Sequence, residues 1–110
     1  MTSRDDTAPS TIRLRVAAST VTAMLADTET ARAFAALPPL TLVLEDFHGT
    51  EKISDLPARL TTAGAPAGHT PVRGDLAYYA PWGNFANFDR DFGYSAGLIH
   101  LGHIDAEALD

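Results

Sequence analysis

The sequence predicts a small, mainly β domain, a barrel or sandwich carrying one α-helix. Three observations predict it. Six or seven short segments read as strands, and those beginning at Ile12, Val21 and Leu40 alternate with a period of two. Only one segment has a helical composition and clear helix stops. The strand–helix–strand alternation that builds a parallel sheet is missing.

Residues 1–10 read as a disordered polar lead, the folded domain is expected over 11–105, and 106–110 form a tail. Ile12, Leu14 and Val16 alternate with Arg13, Arg15 and Ala17, which predicts a first strand with the two arginines on its solvated face. Val21, Ala23 and Leu25 repeat the pattern, and the brief Ala18-Ser19 break between the runs predicts a hairpin. A helix follows. Asp27 or Thr28 can cap it, Glu29 sits in its positive first turn, and Pro38-Pro39 stops it. A helix of about ten residues is too short to stand alone in water, so it has to pack on the sheet.

Leu40, Leu42 and Leu44 alternate with Thr41, Val43 and Glu45, a run more apolar than the first and therefore expected in the middle of the sheet. A polar turn through residues 46–50 follows. Ser54-Asp55 is placed to cap a single helical turn with Leu56 and Leu60 on one face. Residues 61–75 hold three glycines and two prolines and predict a long loop, which in a compact domain is usually functional or floppy and is here the lid candidate. Further strands are expected at residues 76–80, 85–88 and 98–104, with a Pro81-Trp82-Gly83-Asn84 turn between the first two and an irregular stretch over 89–95. The Ala80–Pro81 bond has the usual X-Pro freedom to be cis or trans.

Composition removes several function classes. The chain has 110 residues, enough for one domain with a real core. It has no cysteine, so disulfides, thiolate metal sites and cysteine nucleophiles are excluded. Its formal net charge is −6, spread evenly over the two halves with no basic arm, which argues against nucleic acid and anionic membrane as partners. The first ten residues lack the basic start and apolar run of a secretory signal, no segment is apolar enough to span a bilayer, and a cytoplasmic location is the expectation. No nucleophile elbow or phosphate-binding glycine loop is present.

The stretch Gly74-Asp75, Tyr78-Tyr79, Pro81-Trp82-Gly83-Asn84, followed by Gly97-Leu98-Ile99-His100-Leu101-Gly102, resembles the bacterial cyclophilin-like fold family of small stand-alone barrels. Leu42-Val43-Leu44-Glu45-Asp46-Phe47 with Glu51-Lys52-Ile53 looks like that family's central strand and turn. The resemblance covers roughly residues 11–105 and implies a small closed cyclophilin-like β-barrel with one main α-helix and short helical turns. It does not imply prolyl isomerisation. True cyclophilins place an arginine after Phe-His, and here Phe47-His48 is followed by Gly49. Asn87 and Asp89 also stand where the small family tends to have an aliphatic and an aromatic residue.

Seven of the nine aromatic residues fall between Tyr78 and Tyr94. Neighbours on a strand face opposite ways, so one of Tyr78 and Tyr79 enters the core and the other faces a groove or the helix. Tyr79, Trp82, Phe85 and Phe88 are the candidate lining of an apolar groove for a proline ring or a flat small molecule, covered by the 61–75 loop. Trp82, in a turn between Pro81 and Gly83, is the leading single residue.

Glu45 and Asp46 are the candidate acid–base residues, with Arg59 and Arg90 (and Arg73) as candidate partners or substitutes for the missing arginine. Glu45 shares a strand face with Val43 and Phe47, a half-apolar setting that raises a carboxyl pKa. Asp46 has the plainer reading of a turn residue held by N–H groups. His100 and His103 would face opposite sides of a regular strand, and His48 and His69 lie in loops, so neither a metal nor any other cofactor is expected, although any of the four can be pH-sensitive.

The leading expectation is a binding domain for a small molecule or a short proline-containing peptide. The alternatives are a weak peptidyl-prolyl isomerase, an acid–base enzyme acting on a small metabolite, and an interaction module. The chain is expected as a monomer, or as a homodimer formed through an exposed strand edge with Trp82 buried between the chains.

Overall fold

A computed structural model describes residues 11–16, 19–37, 44–47 and 49–104, and of residues 11–21 only the backbone. In chain order the elements are β1 (Thr11–Val16), β2 (Ser19–Leu25), α1 (Glu29–Ala35), β3 (Glu45–Phe47), β4 (Glu51–Asp55), β5 (Gly68–His69), β6 (Asp75–Tyr79), β7 (Asn84–Phe88), β8 (Ser95–Ala96) and β9 (Leu98–Ile104). Seven strands form an antiparallel sheet in the order β1-β2-β9-β6-β7-β4-β3, and β5 pairs with β8 in a separate ribbon.

The mainly β expectation with one helix holds. Closure into a barrel does not follow from the pairing: a barrel needs its two edge strands joined, and β1 and β3 do not pair among the described residues. The strand containing Glu45 sits at the sheet edge instead of the middle, and residues 40–43 of the expected run lie outside the described residues. The expected helical turn after Ser54-Asp55 is a strand end: β4 runs through both residues and pairs with β7 from Glu51↔Phe88 to Asp55↔Asn84. No further helix occurs among the described residues, although the turn after β6 closes with a single helical-type bond from the Gly83 N–H to the Tyr79 carbonyl at 2.9 Å. The lead at 1–10 and the tail at 106–110 lie outside them.

The hairpin of β1 and β2 holds, with Val16 opposite Ser19 and two residues between. Thr28 is the helix cap: its Oγ1 accepts a hydrogen bond from the Ala31 N–H at 3.1 Å, which satisfies one of the otherwise unpaired first-turn donors. Asp27 pairs with Arg32 instead. The short helix is fixed by packing. Ala31 is fully buried, and Phe34 stacks on Phe85 at 5.4 Å between centroids.

The sheet is covered on both faces. One face carries Ala23, Leu25, Leu76, Tyr78, Phe85, Ile99, Leu101 and Ile104, against which Ala31 and Leu60 pack. The other carries Ala77, Ala86, Phe88 and Leu98 with Ile53 and Tyr79. Tyr78 therefore enters the core and Tyr79 the opposite face, the division strand geometry demands. The Tyr78 hydroxyl also accepts the Leu60 N–H at 3.0 Å, so this buried phenol is not left unpaired.

Strand β9 is irregular at one point. Leu76 faces Gly102 and Ala77 faces His100, so Leu101 is an extra residue on the β9 side, a β-bulge. Gly102 permits the adjacent pairing. A Cβ there would lie 2.3 Å from the Met24 carbonyl oxygen, so no larger residue fits against β2 without backbone movement. No helix among the described residues is long and apolar enough to cross a membrane.

Candidate functional site

Two hollows of about 450 Å³ each open on the structure, and the sequence candidates divide between one of them and neither. The aromatic hollow is lined by Phe47, Ile53, Tyr79, Trp82, Phe88, Phe92 and Leu98, with polar contributions from Glu51, Asn84 and Ser95. Its floor is the second face of the sheet. Alternation on β6 and β7 aims Tyr79, Asn84 and Phe88 that way, and the turn after β6 brings Trp82 to the rim. Trp82 meets Tyr79 edge-on at 5.2 Å and Phe47 edge-on at 5.8 Å, the T-shaped arrangement that ring quadrupoles favour. Despite both contacts Trp82 remains 55% exposed.

Three of the four predicted groove residues, Tyr79, Trp82 and Phe88, line this hollow. Phe85 does not. It alternates with Asn84 and Ala86 on β7, so it points to the opposite face, 4% exposed and stacked on Phe34. The 61–75 loop contributes no lining residue either. Its role as a lid over the aromatics is replaced by β8, whose Ser95 and Ala96 stand at the hollow's wall. The loop is also less free than its composition suggested, because Gly68 and His69 pair with Ala96 and Ser95.

Asn84 was not foreseen in the site. It is 2% exposed, and its side-chain oxygen has no hydrogen-bond partner. A buried polar atom without a partner costs about 1–3 kcal/mol, so this oxygen is a local weakness in the packing behind the hollow's wall.

The candidate acid–base groups lie elsewhere. Glu45 is exposed on the edge strand, not half-buried among apolar side chains as expected. Asp46 is exposed too, and its Oδ2 accepts the Gly49 N–H at 3.0 Å, the turn role of the plainer reading. Arg59 donates to the Ala80 carbonyl at 2.8 Å and braces the turn that carries Trp82. Arg90 is exposed in the bend after β7. Arg73 donates its backbone N–H to Asp91. None of Glu45, Asp46, Arg59, Arg73 and Arg90 lines the aromatic hollow. The Ala80–Pro81 bond is trans, as are all described peptide bonds.

The histidines carry the largest departure from expectation. Asp75, only 3% exposed, is approached by three of them. His69 Nε2 lies 2.9 Å from its Oδ2, His103 Nδ1 lies 3.0 Å from its Oδ1, and His100 Nε2 lies 3.5 Å from Oδ1. The Val72 N–H adds a fourth contact at 3.0 Å. Burial pushes the Asp75 carboxyl up, but the hydrogen bonds from His103, His69 and the Val72 N–H, with the nearby His100, outweigh it and hold the pKa below the ordinary carboxylate value. Burial lowers the His100 pKa, reinforced by His69 and opposed by Asp75. The bulge at Leu101 makes this convergence possible, because it places His100 and His103 on one face of β9. His48 lies outside the described residues.

Residues 14–110 match the model of the cyclophilin-like family. No curated protein and no solved structure gives a significant match to the chain.

Proposed function

This chain belongs to the cyclophilin-like family, and from that premise we propose that it is a binding domain whose aromatic hollow takes a small ring-bearing ligand, a short proline-containing peptide segment included. One observation carries the reading: three aromatic rings, Tyr79, Trp82 and Phe88, surround one hollow. Flat apolar walls favour a ring.

Binding is favoured over isomerisation because no arginine lines the hollow, so nothing there would polarise a prolyl amide. It is favoured over acid–base chemistry by Glu45 or Asp46 because both stand exposed away from the aromatic walls.

Trp82 is the chain's single tryptophan, so its fluorescence reports this site alone. Titrating Xaa-Pro peptides and small aromatic amides should change that emission saturably, and Trp82→Ala should weaken binding measured by calorimetry at least tenfold. Emission that changes with protein concentration and not with any ligand would instead support burial of Trp82 between two chains. Peptide cis/trans exchange cross-peaks appearing only with protein would support an isomerase, since uncatalysed exchange takes tens of seconds or more.

A further inference from the structure

A second site lies apart from the aromatic hollow. Three side chains, His69 on β5, Asp75 on β6 and His100 on β9, each offer one ligand atom, and these atoms lie within 4.8 Å of one another. His69 and His100 also line the second hollow, about 450 Å³, between the N-terminal turn of α1, residues 63–66, β5 and β9. Asp75 stands behind them, buried, with His103 on its Oδ1.

Two imidazoles and one carboxylate from three separate strands form a donor set that suits first-row divalent metals. Hard cations such as calcium and magnesium prefer all-oxygen ligation, which this cluster does not offer. The spacing is suitable as well. His69 Nε2 lies 2.9 Å from Asp75 Oδ2 and His100 Nε2 lies 3.5 Å from Asp75 Oδ1, and the three ligand atoms lie within 4.8 Å of one another, so the side chains need only close in modestly to reach the roughly 3.3 Å between neighbouring ligands of one such ion. The scaffold favours the arrangement. β5 is held by its ladder with β8, and β9 presents His100 through the Leu101 bulge. His103 and the Val72 N–H fix the carboxylate from outside, as the supporting contacts of metal-bound carboxylates do.

The geometry points to a divalent transition-metal site, of the zinc, iron(II) or cobalt class, ligated by His69, Asp75 and His100 and supported by His103. Three protein ligands leave at least one coordination position free, and the hollow lined by His69 and His100 is where that position opens. An ion there would hold water or an oxygen- or nitrogen-bearing small molecule at the N-terminal turn of α1. Neutral imidazoles are the coordinating form, so binding should weaken in acid.

The test uses the full chain after treatment with a chelator. Cobalt(II) added stepwise should give a visible absorption much stronger than that of aqueous cobalt, saturating at one ion per chain, and zinc should displace it. Asp75→Asn removes a buried carboxylate and can fail to fold, so the deciding variants are the partly exposed ligands. His69→Gln and His100→Gln should each weaken cobalt and zinc binding by tenfold or more while their circular dichroism stays that of the parent. His103→Ala should weaken binding by roughly 10- to 100-fold and keep the cobalt absorption band. No one-to-one binding of either ion at submillimolar concentration would overturn the inference. So would binding that His69→Gln and His100→Gln leave unchanged. Neither result bears on the aromatic hollow.

Discussion

His100 and His103 stand on the same face of β9 although they are three residues apart, because Leu101 is an extra residue opposite the Leu76–Ala77 step. Asp75 faces His103 across the ladder and Ala77 faces His100, so the side chains of one face of β6 meet both histidines. Without the bulge, strand alternation would send one of them into the core. Gly102 lets the irregular strand keep its pairing with Leu25.

Gly102→Ala should therefore be costly. Its Cβ would lie 2.3 Å from a backbone oxygen, which cannot swing away as a side-chain tip can. The expected loss is about 1–3 kcal/mol or more in chemical denaturation. An unchanged denaturation midpoint would mean that β2 and β9 are not so close.

The core and the aromatic hollow should separate cleanly by mutation. Phe85→Ala empties a position stacked on Phe34 and should cost about 3–5 kcal/mol of stability, leaving ligand binding by the folded fraction intact. Trp82→Ala should do the reverse. At 55% exposure it should shift stability by less than about 1 kcal/mol but weaken ligand binding at least tenfold. Parallel denaturation and calorimetry on the two variants check the contrast.

Asn84→Leu should not cost stability. It replaces a buried, unpartnered oxygen by apolar surface of similar size, which is close to neutral or stabilising for folding. A clearly lower midpoint in chemical denaturation would contradict this.

Stability of the metal-free protein should fall with acid in two stages. His100 has a folded pKa below its ordinary 6.5, so the unfolded chain takes up a proton first as pH drops. Stability is then lost below about pH 6.5. Asp75 also has a lowered folded pKa. Its contribution is full above its ordinary 3.8 and is lost as pH falls through the folded value. Urea denaturation between pH 4.5 and 7.5 should show the first stage in the parent and lose it in His100→Gln. At saturating zinc, one hundred times Kd, the parent should gain about 2.7 kcal/mol and that variant should gain less.

Much of the fold was legible because alternation over five or more residues identifies a strand and its faces. β1 and β2 follow from it, and once β6 is a strand its parity gives the split between Tyr78 and Tyr79. The Thr28 cap and the helix after it were legible from residue type. Other features depend on contacts distant in sequence. β5 and β8 are two residues each, too short to carry a period, and become strands only by pairing. Ser54-Asp55 has cap-forming residues, yet pairing with β7 claims them for β4. Proximity in sequence groups Phe85 with its aromatic neighbours, whereas its parity on β7 sends it to the opposite face. The Asp75 cluster was hidden for the same reason: a single bulged residue reverses the facing of everything after it, and no residue type announces it.

The most direct test of the binding reading is an amide-correlation NMR titration with Xaa-Pro peptides and small aromatic amides, following the Trp82 indole N–H and the Asn84 side-chain amide. The account predicts that both signals move together and saturably with at least one ring-bearing ligand. Silence of both signals at millimolar ligand across the panel, or movement that depends on protein concentration alone, would contradict it.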